Sequence, residues 1–152
     1  MVAKLFDNSW ETNATSAIGL IEQALRSLGH DPDTSELDDP VMLRTWQVLQ
    51  GSAAVTVCLR RHPDLPHLRV SAAVMTPAAD SDRAALHAEL LTRNLELCGM
   101  AFALQAEQVL LVSERSTRDL DRSEVIHVIA DLARHADDVD DALVTRYGGQ
   151  LG

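Results

Sequence analysis

The sequence predicts an α+β domain: an antiparallel sheet with helices packed against it, in the order helix, three strands, helix, two strands, helix. Three observations point there. Apolar residues recur at spacings of three and four in three separated stretches. Period-two alternation governs the stretches between them, and glycine or proline punctuates most changes of period.

The first helix is written in TSAIGLIEQALRSLG, where Ala17, Ile18, Ile21, Leu25 and Leu28 form one stripe and Gly29 supplies the stop. HDPDTSELDDP follows, with five acids in eleven residues, and reads as a solvated connection. VMLRTWQVLQ, AAVTVCLRR and LRVSAAVM then have strand grammar, with Gly51-Ser52 and HPDLPH as the turns between them. Val55, Val57 and Leu59 alternate with Thr56, Cys58 and Arg60, and Leu68, Val70, Ala72 and Val74 with Arg69, Ser71, Ala73 and Met75. This predicts a three-stranded antiparallel meander.

Asp80 or Ser81 is placed to cap a second helix through SDRAALHAELLTRNLEL, which Gly99 ends. MAFALQAEQVLLVSE reads as two short strands about a turn at Gln105 to Gln108, with Phe102 and Leu104 on one face of the first. Asp121 and Glu124 fit an acidic capping box opening the last helix, and Gly148-Gly149 closes it. On that helix Val125, Ile129, Leu132, Ala136, Val139 and Leu143 form the apolar stripe. With neither internal repeat nor dividing linker, residues 1–152 read as a single domain with an ordered core over about 14–147.

Composition narrows the function classes. The formal net charge is −10, and Lys4 is the only lysine. Such a field repels a phosphate backbone, which argues against direct nucleic-acid binding, although Arg60, Arg61 and Arg69 could form a local basic patch. The N-terminal stretch lacks the apolar core of a secretory signal, and no apolar run is long enough to span a membrane, so the expected location is the cytoplasm. Cys58 and Cys98 form no CxxC pair and read as buried thiols.

Chemistry-bearing patterns are few. His127, Asp131 and His135 recur every four residues on the polar side of the last helix. A histidine pair with an aspartate between could hold an ion, and a metal-binding protein or metal-dependent hydrolase is the alternative reading of the chain. However, the glutamate that follows the first histidine in HExxH is replaced by Val128, and a solvated helix face accounts for the same pattern. His62, Asp64 and His67 fit a surface turn. Neither a GxSxG elbow nor a phosphate-cradling glycine loop is present. No catalytic residue, metal ligand or cofactor is assigned.

The stretch from ELLTRNLELCGMAFALQ to the end of the last helix resembles the second half of the YbjN domain family. The resembling features are the leucine-rich helix ending in Arg93-Asn94, Phe102 in a short strand, and Leu120 with acids before the last helix. Ala133, Asp137, Asp140 and Leu143 in that helix add to them. The family is similar in fold to type III secretion chaperones. The resemblance implies the same order of elements, no catalysis, homodimerisation and capture of an extended segment of another protein. It makes the chain a chaperone-like adaptor or regulator. Trp46, Val48, Phe102 and Leu104 are the candidate partner or dimer contacts, and Leu90 and Leu91 the candidate dimer seam, with ordinary core packing as the other role open to each. The acidic surface favours a basic partner.

Overall fold

In the computed structural model, residues 3–152 are described, with side chains from residue 9 onward. The elements run α1 (Ala3–Ser27), α2 (Pro32–Ser35), β1 (Glu36–Leu37), β2 (Arg44–Gln50), β3 (Ala53–Arg60), β4 (His67–Pro77), α3 (Arg83–Arg93), β5 (Ala101–Gln105), β6 (Gln108–Ser116), α4 (Arg122–Tyr147) and β7 (Gly149–Leu151). Seven strands form one antiparallel sheet in the order β1-β2-β3-β4-β6-β5, with β7 added to β4. The expected order of three long helices and five principal strands is present.

Register divides the sheet into two chemically distinct faces. Trp46, Val57 and Val70 lie opposite one another across β2, β3 and β4, and Val48, Val55, Ala72, Leu111 and Phe102 form the adjacent row. All are buried. The apolar stripe of α4, Val125, Ile129, Leu132, Ala136 and Leu143, joins them in one core, and Ile21 and Leu25 of α1 close it from the side. The opposite face carries Gln47, Leu49, Thr56, Arg69, Ser71, Leu110, Val112 and Ala103, all half-exposed or exposed. Period-two patterning therefore produces a sheet covered on one side by helices.

The helix caps follow from their residues. Asp121 accepts from the Glu124 N–H at 2.9 Å, and the Glu124 carboxylate accepts from the Asp121 N–H at 3.0 Å, completing the capping box. Asp82, not Asp80 or Ser81, caps α3, accepting from the Ala85 N–H at 3.0 Å. Further departures from expectation stand out. α1 begins well before Thr15, and Trp10 donates its indole N–H to the His62 carbonyl at 3.0 Å. The acidic connection holds α2, capped by Asp31, and β1, which pairs with Thr45 and Trp46. Cys58 is buried as expected, and burial pushes its thiol pKa up. Cys98 is exposed, because it lies past the end of α3 in the loop broken by Gly99.

Candidate partner-binding surfaces

Most large apolar side chains that remain exposed lie beside the two free edges of the sheet. Leu37, Val41 and Leu49 flank the β1/β2 edge, while Leu91, Leu95 and Leu104 flank the α3/β5 edge. Isolated exposed leucines are ordinary, but leucines clustered along unpaired strand edges offer both apolar surface and free backbone groups.

At the β5 edge, α3 and β5 enclose a groove of about 300 Å³ lined by His87, Leu90, Leu91, Asn94, Phe102, Ala103 and Leu104. Asn94 holds its two walls together: its carbonyl oxygen accepts from the Phe102 N–H at 2.7 Å, and its amide donates to the Phe102 carbonyl at 3.4 Å. Four of the six candidate contact residues thus meet in one place. Leu90 and Phe102 are buried and form the floor; Leu91 and Leu104 are exposed at the rim. Leu95, 87% exposed, stands just past the end of α3 and was not among the candidates.

One ion pair borders this groove, and a second network lies on the far side of α3. Arg83 pairs with Glu107 at 2.7 Å across the β5–β6 turn, and Glu89 accepts from Arg93, Arg146 and the Tyr147 hydroxyl. The Tyr147 hydrogen bond, with Arg93 next, holds the Glu89 carboxyl below its ordinary pKa.

The other two candidates lie elsewhere. Trp46 and Val48 point from β2 into the core, where Trp46 is fully buried beneath the Arg44 guanidinium, 5.2 Å above its ring. Their side chains offer no surface in the single chain. Leu49, on the opposite face of the same strand, does. The parity of β2 was legible, but only the position of α4 shows which parity faces outward.

The β2 edge has a different character. β1 pairs only with Thr45 and Trp46, so among the described residues no strand pairs with the outer edge of Gln47–Gln50. Beside it lies a cleft of about 400 Å³ lined by Asp33, Glu36, Leu37, Asp38, Asp39, Leu43 and Arg44. Arg44 answers part of this charge by pairing with Glu36 and with Glu22 at 3.2 Å. Asp39 accepts backbone hydrogen bonds from Val41 and Met42, and the former chiefly keeps its carboxyl below the ordinary value. The edge therefore combines apolar side chains with a surplus of carboxylates.

The histidine face of α4 lacks the geometry of a metal site. His127 and His135 are eight residues apart, about 12 Å along a helix axis, too far to share an ion with bonds near 2 Å. His135 Nδ1 lies 2.8 Å from the Asp131 carbonyl, and Arg134 reaches Asp131 at 3.7 Å, placing a cation where an ion would sit. Among the described residues no three or more His, Cys, Asp or Glu side chains converge as a ligand set. No described helix is long and apolar enough to cross a membrane.

The profile of the TY-Chap1 family, described as "T3SS (YopN, CesT) and YbjN peptide-binding chaperone 1", matches residues 16–151. No curated protein matches the chain. Among solved structures, a chain of the HopA1–SchA chaperone–effector complex is 16% identical with a TM-score of 0.61, over 86% of this chain and 97% of that one. A chain of the ExsC–ExsE complex is 15% identical with a TM-score of 0.62, over 85% and 94%. A chain of the complex of the Yersinia pestis type III secretion chaperone SycH with a stable fragment of YscM2 gives 17%, a TM-score of 0.55, and 79% and 96%. At these identities the likeness is one of fold.

Proposed function

Taking as its premise that the chain belongs to the TY-Chap1 family of peptide-binding chaperones, we propose that it captures an extended, basic segment of another protein along the outer edge of β2, and does so as a homodimer. The family is one of chaperones rather than enzymes, and the reading requires no chemistry beyond reversible binding. The observation on which it rests is the unpaired Gln47–Gln50 edge, flanked by exposed Leu37, Val41 and Leu49 and by the carboxylates of Asp33, Glu36, Asp38 and Asp39.

A segment that adds as a strand would satisfy the free backbone groups of β2, with its alternate apolar side chains lying over Leu49 and Leu37. Flanking lysines or arginines would meet the acidic cleft, speeding encounter and making affinity fall with salt. Trp46 and Val48 would then contribute through the backbone of β2 and the rigidity of the core beneath it.

The α3/β5 face suits a second copy of the chain. It offers a ridge, Leu91 and Leu95, next to a groove floored by Leu90 and Phe102 and rimmed by Leu104. A two-fold axis can place the ridge of each copy in the groove of the other, as an isologous interface requires. The Arg83–Glu107 ion pair supplies part of the polar rim of such an interface.

The test pairs two variants with the wild-type chain as bait in native lysate of the source organism. A partner retained by the wild type, released at high salt and lost on Leu49→Asp supports capture at β2. Equal retention by Leu49→Asp refutes that location. Light scattering should give twice the chain mass for the wild type and the single mass for Leu91→Glu; a monomeric wild type refutes the dimer.

A further inference from the structure

β4 is the longest strand and outruns its neighbour β3. On one side β6 pairs with it from His67 to Met75, whereas on the other β3 pairs only from His67 to Ala72. Beyond that point β7 takes the edge, with Met75 opposite Leu151, Thr76 opposite Gln150 and Pro77 opposite Gly149. Because Met75 pairs with Val109 and Leu151 at once, β7 must lie on the side that β3 has left.

The fit is sterically demanding at two positions. Gly149 has φ +118°, and a Cβ there would stand 2.1 Å from the Thr76 carbonyl oxygen and 2.8 Å from Pro77 Cα. Gly152 donates its N–H to the Val74 carbonyl at 3.0 Å, and a Cβ there would stand 2.4 Å from the Ala73 carbonyl carbon. The edge thus accepts a backbone only where glycines stand three residues apart. Yet its occupant is lightly held. Gly149, Gln150 and Leu151 are all exposed, Leu151 at 55%, so side-chain burial adds little. A three-residue strand sets a few main-chain hydrogen bonds against the entropy of ordering them, a balance typical of segments that open locally.

We propose that the β4 edge from Ala73 to Pro77 is a second strand acceptor, selective for an extended partner segment of the form Gly-X-X-Gly, and that β7 is its internal competitor. Main-chain pairing supplies the affinity of such an addition, and the two positions closed to any Cβ supply its selectivity. The acceptor is distinct from the β2 edge and stands or falls separately from capture there.

Two full-length variants free it. Gly149→Val sets a branched side chain against the Thr76 carbonyl, and Leu151→Pro introduces a residue that strand pairing rejects. The probe is a synthetic peptide, RYGGQLG, titrated into isotope-labelled protein and followed by amide NMR shifts. Both variants should bind it at least about tenfold more tightly than the wild type, whose acceptor is free a tenth of the time or less. The shifts should centre on Ala73–Ala78, and RYGVQLG should produce none. Equal binding to wild type and variants, no binding to a folded variant, or shifts centred elsewhere would overturn the proposal. Global unfolding of both variants would overturn it too, since β7 would then be a structural strand and not a displaceable one.

Discussion

Replacing Trp46 tests where this side chain does its work. It is fully buried in the row formed with Val57 and Val70, and its indole N–H meets no acceptor among the described residues. Trp46→Ala removes a large aromatic from a close-packed site at about 3–5 kcal/mol, less the about 1–3 kcal/mol regained with its unpaired N–H, a net loss of about 2 kcal/mol. That is a large share of the roughly 5–15 kcal/mol by which a typical domain is stable. Trp46→Phe should differ sharply. The lost volume costs about 1–2 kcal/mol, but the unpaired donor, worth about 1–3 kcal/mol of desolvation, leaves with it. The two effects nearly cancel, and Trp46→Phe should fall within about 1 kcal/mol of the wild type. Urea unfolding followed by far-UV circular dichroism measures both, provided the slope stays constant. A loss below about 1 kcal/mol for Trp46→Ala would refute the core assignment. A Trp46→Phe loss as large as that of Trp46→Ala would show that the indole N–H has a partner in solution.

Three further outcomes follow from particular contacts. On the outer sheet face Glu114 is partly buried, which raises its carboxyl pKa, but hydrogen bonds from Arg69 at 2.6 Å and Arg60 at 2.7 Å outweigh this and leave it lowered. A carboxyl lowered on folding stabilises the fold above its unfolded pKa, and the benefit fades as pH falls through the folded value. Urea midpoints measured between neutral pH and the acid limb should therefore fall less steeply for Glu114→Gln than for the wild type, and parallel curves would contradict this. Gly51 has φ +66°, and an added Cβ would stand 2.7 Å from Asp137 Oδ2, so Gly51→Ala should cost about 1–3 kcal/mol in thermal unfolding. Measured against Asp137→Ala alone, which loses the Ser52 hydrogen bonds, the added Gly51→Ala should cost only the part due to backbone strain. Calorimetric zinc titration should find no stoichiometric site that depends on both His127 and His135; a tight site lost in either alanine variant would contradict the helix-face assignment.

Much of the fold was legible because its rules are local. The alternation from Val55 to Leu59 and from Leu68 to Val74 marks strands wherever they pair, and Asp121 and Glu124 need only each other to form a capping box. What escaped depends on contacts distant in sequence. The early turns of α1 carry only Phe6, Trp10 and Ala14 at helical spacing among polar residues, and the contact that ties Trp10 to His62 spans 52 residues. β1 lies in an acidic stretch with no alternation of its own and exists because Thr45 and Trp46 offer an edge. β7 opens on Gly149 and is followed by Gly152, residues that weaken strands in isolation, yet only glycine fits beside Thr76 and Ala73. The candidate surfaces divide the same way. Leu90, Leu91, Phe102 and Leu104 converge because α3 and β5 follow one another closely in the chain, whereas the inward turn of Trp46 and Val48 and the outward turn of Leu49 are decided by which face α4 covers.

The most direct test of segment capture is hydrogen–deuterium exchange on the chain alone and on its complex with the retained partner. The alternate amides of Gln47–Gln50 that point away from β3 should become protected on binding, while the His127–His135 face of α4 stays unchanged. Protection confined to α4, or unchanged exchange along β2 in a saturated complex, would contradict capture at this edge.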